Sequence, residues 1–185
     1  TLVTRGMGAH RMNVPEELAE YRLERAELLI NLPRDWKLTK ADFREERWDW
    51  PVRMLLATAR FAMEDPEVGL ESRTTLSEGE EGVPLAEGTD LRGEILLCPG
   101  VFGEDSFFCR LPDGDEVNFY QVIPLYREEL QYKLEHGSDA LLDLCPDESL
   151  EVIDPHRLNV VTDRERLDYD PAEMDNAADQ LQKIR

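Results

Sequence analysis

The chain has 185 residues, 41 acidic and 21 basic, giving a formal net charge of −20, with apolar residues at 41% and charged residues at 34%. That length suits one ordinary domain, which buries roughly 70% of its unfolded surface and needs no covalent staples. The charge argues against nucleic-acid binding, which needs clustered Lys and Arg on phosphate, and against anionic membranes; no run nears the ~18 apolar residues of a membrane span. It leaves room for a basic protein partner steered in by the field, or for a surface that is simply well solvated.

Leu2 and Val3 open the chain as a β-prone pair with no leading turn, so an element upstream of Thr1 is expected. Gly6-Met7-Gly8 reads as the turn after this strand; it is too short for a nucleotide loop. Ala26, Leu28, Ile30 and Leu32 alternate with Glu27, Leu29 and Asn31 until Pro33, the period of a strand. Pro51 suits the first turn of a helix, where its missing N–H costs nothing. Val52, Leu55, Leu56, Ala59 and Met63 then share one face, predicting an amphipathic helix over 51–64. Residues 65–90, rich in Gly, Pro and acids, read as one long loop.

"GEILLCP" reads as a short buried strand, and "SFFCRL" and "EVNFYQVI" flank "PDGD" as a hairpin. The second arm is apolar on both faces, which predicts a central strand that Pro124 ends. Tyr126, Leu130 and Leu134 then form the apolar repeat of a helix whose other faces carry Arg127, Glu128, Glu129, Lys133 and Glu135. Gly137 suits its C-terminal cap, and Ser138 can cap a short helix carrying Leu141, Leu142 and Leu144. "LEVID" at 150–154 reads as a further strand. Asp170, Pro171 and Glu173 imitate a capping box before a weak stripe, Met174 to Ile184, either a docked helix or a frayed tail. Strands and helices do not alternate strictly. The expected fold is therefore mixed α+β, one domain with a central, mostly antiparallel or mixed sheet flanked by helices.

Chemistry is hard to find. His10, His136 and His156 have no ligand spacing, so no metal or cofactor is expected. Cys98, Cys109 and Cys145 are isolated beside apolar runs, as free buried thiols of a reducing cytoplasm would be. No serine sits in a nucleophile elbow, and any catalytic pair would be lost among the carboxylates. These absences favour a binding module over an enzyme, so no catalytic residue is assigned. The acidic run "SEGEEG" and its continuation, with Glu78, Glu80, Glu81 and Glu87 among Gly79, Gly82 and Gly88, is expected to be an exposed partner-contact loop.

The stretch "VNFYQVIPLYREELQYKLEHGSDALLDL" resembles the suppressor of fused domain family in its strand, proline, acidic helix, glycine and second helix. "TLVTRGMGAHRMNVP", "RAELLINLPRDWKL", "WDWPVRMLLATARF" and "ESLEVIDPHRLNVV" match that family's pattern in the same order, together spanning most of residues 1–162. Glu71-Ser72-Arg73-Thr74 departs from the Gly-His or Gly-Asp turn common in the family. The resemblance implies a single α/β domain over 1–162 that begins further upstream, with 163–185 as a C-terminal helix or tail. Animal members hold a transcription-factor peptide as an added strand between two lobes, and this chain has room for one lobe. Bacterial members are often immunity proteins against a toxin, frequently a nuclease. The expected function is therefore a cytoplasmic, non-catalytic protein-binding module, an antitoxin for a basic toxin. The alternatives are a regulatory domain that binds another protein or peptide, or a carboxylate-based hydrolase.

Overall fold

A computed structural model of the chain describes residues 1–64, 74–76, 82–146 and 150–167. Its strands are β1 (Leu2–Val3), β2 (Ala26–Ile30), β3 (Thr74–Leu76), β4 (Leu91–Leu97), β5 (Phe108–Arg110) and β6 (Glu116–Tyr126). They form one sheet ordered β1-β2-β6-β4-β3, with β5 also paired to β6. Only β2 and β6 run parallel; the other pairings among the described residues are antiparallel. The helices are α1 (Glu46–Glu64), α2 (Arg127–His136), α3 (Ser138–Leu142) and α4 (Arg164–Leu167). This is the mixed α+β architecture that the element pattern predicts.

β6 is central, as its two apolar faces imply. Tyr120 and Val122 pack with Leu28, Ile30, Trp50, Met54 and Leu55 on the α1 side. Ile123 and Leu125 pack with Leu130, Leu141 and Val160 on the α2 side. The strand does not stop at Pro124, however. Pro124 pairs with Glu94, and its carbonyl points away from β4 to accept from Arg157 Nη2 at 3.0 Å. Its missing N–H lies on that same side, beyond Gln121 where the pairing with β2 ends, so the proline removes no ladder bond.

Other expectations shift. α1 begins at Glu46, with Trp48 N–H bonded to Glu45 O at 3.0 Å, so Pro51 lies inside the helix. Its buried face is Trp50, Met54, Leu55, Thr58, Ala59 and Ala62, whereas Leu56 and Met63 are exposed. The stripe chosen from Val52 is rotated away from the one that the Trp50 anchor selects. The stretch 65–90 is not all loop, because Thr74–Leu76 pairs along β4. Leu134 is 67% exposed, while Glu129, expected on the solvated face, is fully buried. "LEVID" is no strand: residues 150 and 151 are helical, and Ile153 N–H makes one bond to Asn31 O at 2.9 Å. Ser138 makes no side-chain cap; Gly137, at φ +94°, turns the chain between α2 and α3. Cys98 and Cys109 are exposed, not buried, because Cys98 follows the end of β4 and every residue of β5 is exposed. Cys145 is partly buried, and burial pushes its thiol up to about 11. The C-terminal capping box and stripe, 170–184, lie outside the described residues.

The glycine turn after β1 is structural. Gly6 has φ +105°, and the N–H groups of Gly6 and Gly8 both donate to Glu27 Oε1, at 2.8 and 3.0 Å. A carboxylate of the chain itself fills the place an anion would take. A Cβ on Gly8 would sit 2.8 Å from Val117 Cγ1, so the approach to β6 requires glycine.

Candidate functional site: an aromatic cleft with an acidic rim

The chain's three tryptophans meet at the entry to α1. Pro33 ends the run of β2, and Trp36 N–H bonds back to Pro33 O at 3.0 Å, turning the chain toward α1. Asp42 steadies the approach by accepting from Thr39 Oγ1 and the Thr39 N–H, and the Thr39 hydroxyl holds the Asp42 carboxyl below its ordinary range. Trp36 then stands edge-on to Trp48 at 5.3 Å and to Trp50 at 6.0 Å, and its indole donates to Trp48 O at 3.1 Å. Such perpendicular pairs are the favoured aromatic geometry. Trp50 is 2% exposed and belongs to the core; Trp36 and Trp48 are only partly buried.

These rings line a cleft of about 390 Å³ together with Arg47, the turn Ala86–Thr89, Pro155 and His156. The walls are tied together. Thr89 Oγ1 donates to Pro155 O at 2.7 Å, and Arg53 Nη2 donates to Leu85 O at 3.3 Å. Lys37 Nζ and the Arg47 guanidinium lie 5.3 and 5.2 Å from the Trp48 ring centre, cation–π contacts on that ring. Among the described residues, Trp48 Nε1 is a buried donor with no hydrogen-bond partner. Buried polar groups are nearly always satisfied, so this donor is a local cost in the packing of the three rings.

Asp35 and Glu87 stand on the rim, and past the turn an open groove carries Glu46, Glu87 and Asp90. Glu46 is paired with Arg53 at 3.1 Å. Asp35, Glu87 and Asp90 make no ion pair among the described residues. Of the expected contact residues, Glu87 is exposed beside the cleft. Glu78, Glu80 and Glu81 lie outside the described residues. Among the described residues no cluster of His, Cys, Asp or Glu could hold a metal. His156 lines the cleft, while His136 packs on Tyr132 at 4.4 Å.

A second polar constellation, which the sequence did not disclose, joins α2 to the segment before α4. Glu129 accepts from Tyr126 N–H (3.0 Å), Val160 N–H (3.0 Å), Arg157 Nη1 (2.6 Å) and Arg157 Nη2. Arg157 lies 5.0 Å from the Tyr126 ring centre, and Tyr126 Oη donates to Arg157 O. Burial opposes the Arg157 charge, but the hydrogen bonds to Glu129 outweigh it and raise the guanidinium pKa. Burial likewise raises the Tyr126 hydroxyl. The one local signal for Glu129 was its place three residues into α2, where a glutamate can reach back to the N-cap N–H. Nothing local pointed to Arg157.

The family model described as Suppressor of fused protein matches residues 1–158. An uncharacterized protein of Ureaplasma parvum serovar 3 is 28% identical over 162 residues, 86% of this chain and 73% of the relative. A Neisseria gonorrhoeae suppressor of fused homologue superposes with a TM-score of 0.52 at 17% identity, covering 73% of this chain and 63% of its own. A chain of the Sufu–Fu complex gives 0.57 at 15% identity, covering 91% and 73%. Drosophila Suppressor of Fused gives 0.55 at 17% identity; the match covers 98% of this chain and 42% of the fly protein. At such identities the solved structures share the fold and nothing finer.

Proposed function

The chain belongs to the suppressor of fused protein family, and on that premise we propose that it is a non-catalytic protein-binding module, an immunity protein that neutralises a partner toxin such as a nuclease. The observation that carries the reading is the aromatic cleft bordered by Asp35, Glu87 and Asp90, carboxylates without ion pairs among the described residues. Carboxylates left free beside aromatic surface suit a basic protein face better than the interior of this domain. The net charge of −20 would steer such a partner in, and a nuclease is basic where it grips phosphate. Glu78, Glu80 and Glu81, outside the described residues, are proposed as further contacts of that partner. The resemblance to a chain crystallised in the Sufu–Fu complex agrees with a protein partner. It also favours a second reading, a regulatory domain binding another protein or peptide.

A carboxylate-based hydrolase has less support. Among the described residues the buried carboxylates are Glu129, whose oxygens are occupied by four donors, and Glu94, which accepts from the Thr58 hydroxyl. Among the described residues no helix is long and apolar enough to cross a membrane.

The test is co-expression of the chain with each toxic product encoded beside its gene. Restored growth is expected, and in vitro the variant E78Q/E80Q/E81Q/E87Q should associate more slowly at low salt while melting at the same temperature. If the chain rescues no neighbouring toxin, the immunity reading fails; if a non-toxic protein is bound instead, the regulatory reading replaces it.

A further inference from the structure

We infer that residues 13–22 form a strap that opens while the rest of the domain stays folded, latched shut by Arg22 on the turn of the β5–β6 hairpin. The inference stands apart from the partner reading above and concerns a conformational device built into the fold.

The strap is marked by how little it buries. Met12 is buried, and its N–H donates to Glu24 O at 2.7 Å, which closes the base. Between these ends Val14 and Leu23 are half-buried and every other residue is exposed. A 3₁₀ helix, Glu16–Tyr21, has no buried residue, and Tyr21 stands 60% exposed. Apolar packing therefore does little to hold this stretch to the domain. Segments with few buried contacts open locally, at a free energy well below that of global unfolding.

Polar contacts to the hairpin hold it instead, and they converge on Arg22. Its Nη1 donates to Gly114 O at 3.1 Å and to Glu116 Oε1 at 3.2 Å, and its carbonyl accepts from Asn118 Nδ2 at 2.9 Å. Arg22 also has φ +54°, the one non-glycine residue at positive φ among the described residues. An L side chain stays in that region only where its surroundings impose it, so opening relieves a strain that closure maintains. The base is held more firmly. The Arg25 side chain, 17% exposed, donates to Asp115 Oδ2 at 2.9 Å and to the carbonyls of Gly8 and Ala9, and Arg11 shares that carboxylate. The Arg22 side chain is 54% exposed, so its pair with Glu116 is a surface pair that salt weakens. The strap is thus set to part at Arg22 while its base stays shut.

The test is hydrogen exchange of the whole chain, read amide by amide by NMR. The strap reporter is Leu18, whose N–H bonds to Pro15 O at 2.9 Å; the reference is Val122 in the buried ladder of β6. Arg22→Ala keeps the strained backbone but removes the side-chain ties. It should speed exchange at Leu18 about tenfold, the worth of one hydrogen bond, and leave Val122 unchanged. Raising sodium chloride to about 1 M should speed Leu18 about threefold in the unaltered chain, because the exposed pair is screened. The same salt should leave Leu18 unmoved in Arg22→Ala, where that pair is already gone. An unchanged Leu18 rate in Arg22→Ala overturns the inference, as does a rise shared by Val122, which would make the segment part of the global folding unit. Should Arg22→Ala fail to fold, the salt series decides alone: a Leu18 rate that salt does not move, or moves together with Val122, overturns it.

Discussion

Two aromatic and polar clusters of this domain face opposite fates. At the Glu129–Arg157 junction a carboxylate, a guanidinium and a tyrosine enclose one another, and each Glu129 oxygen has two donors. At the α1 entry three tryptophans and two cations gather just as densely, yet one buried indole N–H remains without an acceptor. A saturated network has nothing left to offer a ligand and holds the fold together. An unsaturated one costs stability. The difference between these regions is therefore the difference between a satisfied joint and one that carries a cost.

That contrast can be broken at its strong end first. Arg157→Leu leaves Glu129 buried without its counter-charge and should cost about 3–5 kcal/mol in urea unfolding. A loss below about 1 kcal/mol would mean that the junction is not a joint. Thr89→Val removes the donor to Pro155 O and the acceptor of Leu91 N–H, and should cost about 1–3 kcal/mol while loosening the cleft wall. Trp48→Phe should leave the melting temperature level or raise it, because it deletes a buried donor that has no partner. A clear loss of stability there would erase the distinction between the regions. Leu134→Ala should move stability by less than ~0.5 kcal/mol, as exposed substitutions do.

Leu134 also marks where sequence patterning runs out. Tyr126, Leu130 and Leu134 have ideal helical spacing, but burial runs out along α2: Leu130 is buried and Leu134 is exposed. The strands were more legible. β2 and β6 alternate or run apolar because one or both faces are covered, and the Pro-Asp-Gly-Asp turn fixed the β5–β6 hairpin. Pro124 misled because a proline ends a strand only if its N–H is needed, and the arrangement of neighbouring strands is a tertiary fact. Glu129 looked like one more acid on an acidic helix. Its partner lies 28 residues away, at a distance no local pattern encodes. The cleft was not legible: only Glu87 was named as an acidic contact, and the approach of Trp36, Trp48, Thr89 and Pro155 is a tertiary fact.

The contrast between the saturated junction and the unsatisfied Trp48 donor is most directly tested by indole ¹⁵N–¹H NMR of the whole chain, with Trp48→Phe assigning the resonance. The Trp48 indole proton is expected upfield of that of Trp36, whose indole donates to Trp48 O at 3.1 Å. A Trp48 resonance as far downfield as that of Trp36 would mean that the donor has an acceptor and would contradict the contrast between the two regions.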